Sequence, residues 1–177
     1  IARLRPFVSR YPWSPAHAES GYRLADLELL AAREEFRSRM AGFLDGAPDS
    51  KQIQNRSLAP FVNYGPAIEQ YQAILREDTS FAHTDGVLFN LGMILADDGR
   101  ADAMQYLHRL VIDYPASPDV QEAWLRMGNE RFDARDFAGS IPLLAHAAQG
   151  NDASFTAMAL YRLGWSQFEQ ERFDDAI

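Results

Sequence analysis

Cysteine is absent from this 177-residue chain. That excludes disulfides, thiolate metal sites and a cysteine nucleophile, while leaving the compartment open. Positive charge is also short: 17 Lys and Arg face 25 Asp and Glu, a net charge of −8. A nucleic-acid partner requires a basic face against its phosphates, so none is expected, and an anionic membrane surface is disfavoured for the same reason. No apolar run approaches the roughly 18–20 residues of a membrane-spanning helix. The four histidines, His17, His83, His108 and His146, include no i, i+4 pair and no His-Glu-x-x-His pattern, so no metal is expected. Asp97-Asp98-Gly99-Arg100-Ala101-Asp102 lacks the stepped oxygen ligands and terminal Glu of a calcium loop and reads as a hairpin turn. Neither a glycine-rich phosphate loop nor a serine nucleophile elbow is found. Glu34-Glu35 and Asp174-Asp175 read as solvated helix positions. The expectation is a non-enzyme without cofactors.

What the chain does have is apolar residues, 47 % of the total, enough for a continuous core, and a period. Gly92, Gly128 and Gly164 are spaced 36 residues apart, each after an apolar residue. Arg135-Asp136-Phe137-Ala138-Gly139-Ser140-Ile141 is echoed 36 residues on by Glu171-Arg172-Phe173-Asp174-Asp175-Ala176-Ile177. Such self-similarity marks stacked helical hairpins, which hold other molecules rather than transform them.

In the unit beginning at Gln121, Trp124, Met127 and Gly128 share one helix side, and the small glycine admits a second helix closely. Phe132 closes the hairpin, Arg135-Asp136 makes the turn, and Phe137, Ser140, Ile141, Leu144 and Ala147 form the second stripe. Pro142 falls in the second turn of that helix. The unit from Ala157 repeats the plan with Leu160, Leu163, Gly164, Phe168, Phe173, Ala176 and Ile177. The unit near Asp85 uses Leu88, Leu91, Gly92, Leu95, Ala103 and Leu107, then stops at Tyr114-Pro115. At the front, residues 1–10 read as the last helix of a hairpin. Tyr11-Pro12 leads into a helix bearing Tyr22, Leu24, Ala25 and Leu27 to Leu30. A separate helix with Phe36, Met40, Phe43 and Leu44 inward is expected after it. Residues 1–44 thus form an N-terminal helical segment, 45–63 an inserted loop, and 64–177 the main array. Tyr64, Ala67, Ile68, Tyr71 and Ile74 give a second-helix pattern with no first helix of its own. The chain opens on Ile1 and stops inside a repeat at Ile177, the pattern of a segment cut from a longer polypeptide.

These features resemble tetratricopeptide repeats. The resemblance implies an all-α, right-handed α-solenoid of helical hairpins that docks protein or peptide partners in a curved groove. Arg10-Tyr11-Pro12-Trp13-Ser14-Pro15 and Asp113-Tyr114-Pro115-Ala116-Ser117-Pro118 are similar to joints in bacterial cell-envelope members of the family. Those include BamD-like outer-membrane assembly lipoproteins and CpoB-like division proteins. Ala159-Leu160-Tyr161-Arg162-Leu163-Gly164-Trp165, with the single helix at Tyr64 to Arg76, is similar to myxobacterial gliding-motility members. The implied role is a periplasmic or envelope scaffold in a multi-protein complex. Two other readings stay open: the helical superhelix of a larger enzyme such as a lytic transglycosylase, and a cytoplasmic regulatory module.

The first helices would line the groove. In that frame Phe89, Met93, Leu125, Asn129, Tyr161 and Trp165 are the candidate docking residues, an aromatic and Met-containing surface suited to a helix or extended peptide. Tyr161, Trp165 and Asn129 stand out because packing does not demand them there. Phe132 and Phe168 read as packing residues. Family members that clamp a chaperone's terminal carboxylate place Lys, Arg and Asn at repeat positions five and nine. Here Tyr22, Phe89, Leu125 and Tyr161, then Asp26, Met93, Asn129 and Trp165, occupy them, so chaperone-tail binding is not expected.

Overall fold

The computed structural model describes residues 1–46, 59–78 and 80–175. Among them lie eight helices and no strand: α1 (Leu4–Arg10), α2 (His17–Gly46), α3 (Gly65–Glu77), α4 (Thr84–Asp97), α5 (Ala103–Asp113), α6 (Val120–Asp133), α7 (Phe137–Ala147) and α8 (Ala153–Glu169). The all-α expectation holds, with helical hairpins of the tetratricopeptide type. Two compact units divide the chain, Ile1–Val87 and Leu88–Ile177. Most of the expected 45–63 loop, and the expected core positions Ala176 and Ile177, lie outside the described residues.

In the first unit α2 and α3 pack antiparallel. Gly21 meets Ile74, the Tyr71 hydroxyl donates to the Asp26 carboxylate, and His17 Nε2 lies 3.0 Å from Glu77 Oε2. The apolar stripe read from the sequence is buried: Tyr64, Ala67, Ile68, Tyr71 and Ile74 of α3, with Leu24, Ala25 and Leu29 of α2. Helix α1 packs on α2, where Arg5 reaches the buried Glu28 at 2.6 Å.

Two sequence expectations are corrected here. The helix expected after Leu30 is no separate element, because α2 runs unbroken for 30 residues. Nothing between Ala31 and Met40 breaks a helix, and Ala, Arg and Glu favour one. Ion pairs one turn apart, Arg37–Glu34 at 2.6 Å and Arg39–Glu35 at 3.5 Å, add modest support. No residue of α2 beyond Leu29 is buried; Phe36, Met40 and Phe43 are half-buried and Leu44 is exposed. Second, α3 does not lack a first helix, since the N-terminal half of α2 serves as one.

In the second unit three contacts fix the α6–α7 hairpin as antiparallel. Phe132 and Phe137 touch edge to face at 5.4 Å, Gly128 faces Leu144, and the Gln121 amide donates to the Ala147 carbonyl at 3.0 Å. Gly92 faces Leu107 in the same way. A methyl group on Gly128 would lie 2.7 Å from Leu144 Cδ2 and 3.3 Å from the Leu144 backbone nitrogen, so only glycine allows this approach. Pro142 lies inside α7 without breaking it.

The period is written into the backbone. Gly99, Arg135 and Glu171, 36 residues apart, have φ of +71°, +59° and +58°. Each closes its helix with the same pair of bonds: N–H to the carbonyl three residues back, and the next N–H to the carbonyl five back, on Leu95, Arg131 and Gln167. Two of these left-handed positions are not glycine, a mild local cost. The Tyr-Pro joints also match each other. Tyr11 and Tyr114 end their helices at φ/ψ of −126°/58° and −131°/56°, and Ser14 and Ser117 N–H groups bond back to their carbonyls. At the same period, 36 residues before Ser117 and Tyr114, the Phe81 N–H lies 3.5 Å from the Asp78 carbonyl.

Glu122, in the first turn of α6, has its pKa raised from the ordinary 4.5 by burial, then by Asp119 and Asp152, against a lowering by Arg126. A carboxyl that holds its proton more tightly when folded weakens the fold on ionising. The cost is absent below 4.5 and grows as pH rises through the raised value. Glu122→Gln should therefore raise Tm at pH 7 and leave it unchanged near pH 3, by thermal melts across that range. Gly128→Ala overpacks the Leu144 contact and should lose about 1–3 kcal/mol in urea melts. Gly42→Ala, which meets nothing within 4 Å among the described residues, should gain about 0.5–1 kcal/mol.

Candidate protein-docking face

Helix α8 is anchored firmly at its start. The Asp152 carboxylate accepts from the N–H groups of Ser154 and Phe155 at 2.8 and 3.1 Å, satisfying donors that a helix leaves free. Gln121 of α6 accepts from the Asp152 N–H at 2.9 Å, and its amide lies within bonding distance of the Asp152 carbonyl and the Thr156 hydroxyl. Along the inner side Ala159 and Ser166 are buried, with Leu163 and Phe155 packed behind them. The Ser166 and Ser140 hydroxyls meet at 2.7 Å in the α7–α8 interface, a buried polar link where the sequence reading placed Ser140 simply in the second stripe.

The opposite side of α8 is apolar and open. Leu160, Tyr161, Gly164, Trp165 and Phe168 line a depression of about 370 Å³. Exposure there is 54 % for Leu160, 67 % for Tyr161, 46 % for Trp165 and 52 % for Phe168. Four rings follow one another edge to face: Tyr161 to Trp165 at 6.5 Å, Trp165 to Phe168 at 5.9 Å, and Phe168 to Phe173 at 5.4 Å. The spacing of residues 161, 165 and 168 sets them on one helical face.

The six expected docking residues separate. Tyr161 and Trp165 come together on this face. Phe89 and Met93, one turn apart on α4, are half-buried. Asn129 is half-buried, and its Oδ1 is shut from solvent without a hydrogen-bond partner among the described residues. Leu125 is no surface residue: it is 3 % exposed, in a core with Leu144, Ala147 and Ala159. The reason is that α8 packs over it, at a repeat position where Tyr161 meets no following helix among the described residues. Phe168, read as packing, is instead exposed for the same reason. Phe132 is half-buried, with its ring covered by the Arg162 guanidinium at 4.8 Å. Leu160 and Gly164, also read as packing, complete the depression. The signal for both was their place on the same helical stripe as Trp165.

The histidines are dispersed. His146 stacks on Trp124 at 4.6 Å, His83 on Tyr22 at 5.7 Å, and His17 pairs with Glu77. Among the described residues no group of three or more His, Asp or Glu is placed to hold a metal ion.

Charge joins successive first helices. Arg126 pairs with Asp97 at 3.0 Å, and 36 residues on Arg162 pairs with Asp133 at 2.7 Å. Exposed pairs of this kind contribute little by themselves, but Arg162 also lies over the Phe132 ring. Arg162→Met should thus cost about 0.5–1.5 kcal/mol in urea melts, with Lys intermediate. Arg126→Met, which removes the pair alone, should cost at most about 1 kcal/mol.

No helix among the described residues is long and apolar enough to cross a membrane. No curated protein matches the chain. A family model described as tetratricopeptide repeat matches residues 87–117 and 158–177. The first stretch spans nearly all of α4, α5 and the Tyr114-Pro115 joint, and the second runs from α8 through its closing turn. The α6–α7 hairpin between them carries the same glycine, the same turn and the same ion pair at the 36-residue period. In residues 87–117 and 158–177, which include Tyr161, Trp165 and Phe168 of the open face, the chain is similar to the tetratricopeptide repeat.

Proposed function

We propose that this chain is a non-enzymatic scaffold that docks a protein partner on the outer face of α8, within a bacterial envelope-associated complex. The observation that carries the docking role is the contiguous Leu160–Tyr161–Trp165–Phe168 surface, seated on a helix capped by Asp152 and clamped by Gln121. Large aromatic side chains with solvent on one side and a fixed backbone beneath are what interface anchors need, since little is lost in ordering them. Protein binding is the usual work of the repeat that these residues resemble. The periplasmic setting is supported by the two Tyr-Pro joints, similar to those of envelope proteins.

Photo-crosslinking in the native host tests this reading. A reactive residue at position 165 should yield one discrete protein adduct. The same residue at Ile112, equally apolar and 60 % exposed on α5, should yield none. An identical smear at both positions, or no adduct at 165, overturns the docking role. An adduct with a cytoplasmic protein keeps that role and overturns the envelope setting.

A further inference from the structure

The helices α1, α2 and α3 correspond to α5, α6 and α7, and one difference between the two sets coincides with a cavity. Counted from the matching joint residues Tyr11 and Tyr114, Gly21 of α2 stands where Trp124 stands on α6. On the helix that follows, Tyr64, Ala67, Tyr71 and Ile74 repeat the spacing of Phe137, Ser140, Leu144 and Ala147. Ala73 of α3 therefore stands where His146 stands on α7. Trp124 and His146 stack at 4.6 Å, with their rings 19° from parallel. In the first set glycine and alanine replace both rings.

A cavity of about 240 Å³ lies against these two small residues, walled by Val8 and Pro12 on one side and by Gly21, Ala73 and Ile74 on the other. The packing of α2 on α3 does not require the glycine. A methyl group there would stand 3.5 Å from Ile74 Cγ1, in ordinary contact. Nor does an earlier helix claim the space. In the second set α4 precedes α5 and sets Gly92 against Leu107, yet Trp124 and His146 still hold the equivalent place. An apolar cavity of about 150 Å³ takes up benzene, so this one has room for a two-ring aromatic. Its border is polar at one point, where His17 and Glu77 meet. His17 Nε2 lies 3.0 Å from Glu77 Oε2, which fixes the carboxylate at the cavity and leaves Oε1 to accept from a ligand.

Apart from the α8 face, we infer that the first unit binds an indole-sized aromatic ring carrying an amine. The ring takes the place that the Trp124 indole has on α6, between α2 and α3. The ammonium group pairs with the Glu77 carboxylate in a charge-assisted hydrogen bond. A free aromatic amine and a tryptophan beside a lysine on another chain share this chemistry.

Ligand-detected NMR on the whole chain tests the site with two probes, tryptamine and a capped Gly-Trp-Lys-Gly peptide. Saturable binding of at least one is expected, with Overhauser contacts from its indole to the Val8 and Ile74 methyl groups. Indole-3-acetate, the same ring with a negative charge, should bind about tenfold more weakly than tryptamine. Glu77→Gln should close that gap. Gly21→Trp/Ala73→His, which restores the stack of the second set, should abolish uptake with circular dichroism unchanged.

Tryptamine alone binding identifies a free ligand, and the peptide alone binding identifies a partner's side chain. Neither probe binding at millimolar concentration overturns the inference. So does full binding by the Gly21→Trp/Ala73→His protein, or equal binding of indole-3-acetate and tryptamine to the unaltered chain. Crosslinking at position 165 is independent of these outcomes, so the α8 reading stands or falls separately.

Discussion

Hairpin geometry in this chain depends on a glycine against a leucine. Each first helix of the second unit gives up a side chain, at Gly92 and Gly128, so that Leu107 or Leu144 can press onto its backbone. The gap has no slack: leucine carbons already lie where a methyl group would have to go, and the leucine nitrogen is just behind them. This approach brings the flanking apolar residues into contact, so that Leu88, Leu91, Leu95, Leu107 and Leu110 lose all exposure. Burying a side chain of that size is worth about 1.5–3 kcal/mol each, against a substantial entropy cost. The contact is also directional. A leucine over a glycine fixes the register of the second helix, because a shift of one residue would place a different side chain at the notch.

The other regular features serve that spacing. The left-handed turn at Gly99, Arg135 and Glu171 reverses the chain in a fixed number of residues and satisfies the last helical carbonyls. At two of the three sites arginine or glutamate adopts a backbone shape that glycine takes more readily, so the turn is imposed by the packing on either side of it. The Asp97–Arg126 and Asp133–Arg162 pairs then tie neighbouring first helices at the same offset.

Much of this was legible in the sequence. The glycine period located three first helices, and the apolar spacing around Leu107 and Leu144 located their partners. The two Tyr-Pro joints were recognisable from residue type, whereas the Phe81-to-Asp78 hydrogen bond at the same period was not, because no tyrosine or proline marks it. The length of α2 was missed for a different reason. Periodicity reports a buried face, and beyond Leu29 this helix has none; its continuation rests on propensity and on local ion pairs. The apolar spacing of Phe36, Met40 and Phe43 on it suggested a second hairpin helix where the backbone simply continues.

The site was legible only in part, because repeat position does not determine exposure. Leu125 and Tyr161 hold the same place in successive repeats, yet one is 3 % exposed and the other 67 %. The difference lies in whether a following helix covers the position, which no residue at the position itself reveals. Residue type does not carry it either. Tyr22 and Phe89 hold the same repeat position as Leu125 and Tyr161, and both are half-buried aromatic residues with further helices after them. An aromatic ring with a polar atom tolerates water on one side and an apolar neighbour on the other, so the same residue type serves a covered and an open position. Exposure on α8 is therefore a property of the packing around the position, and only the backbone arrangement reveals it.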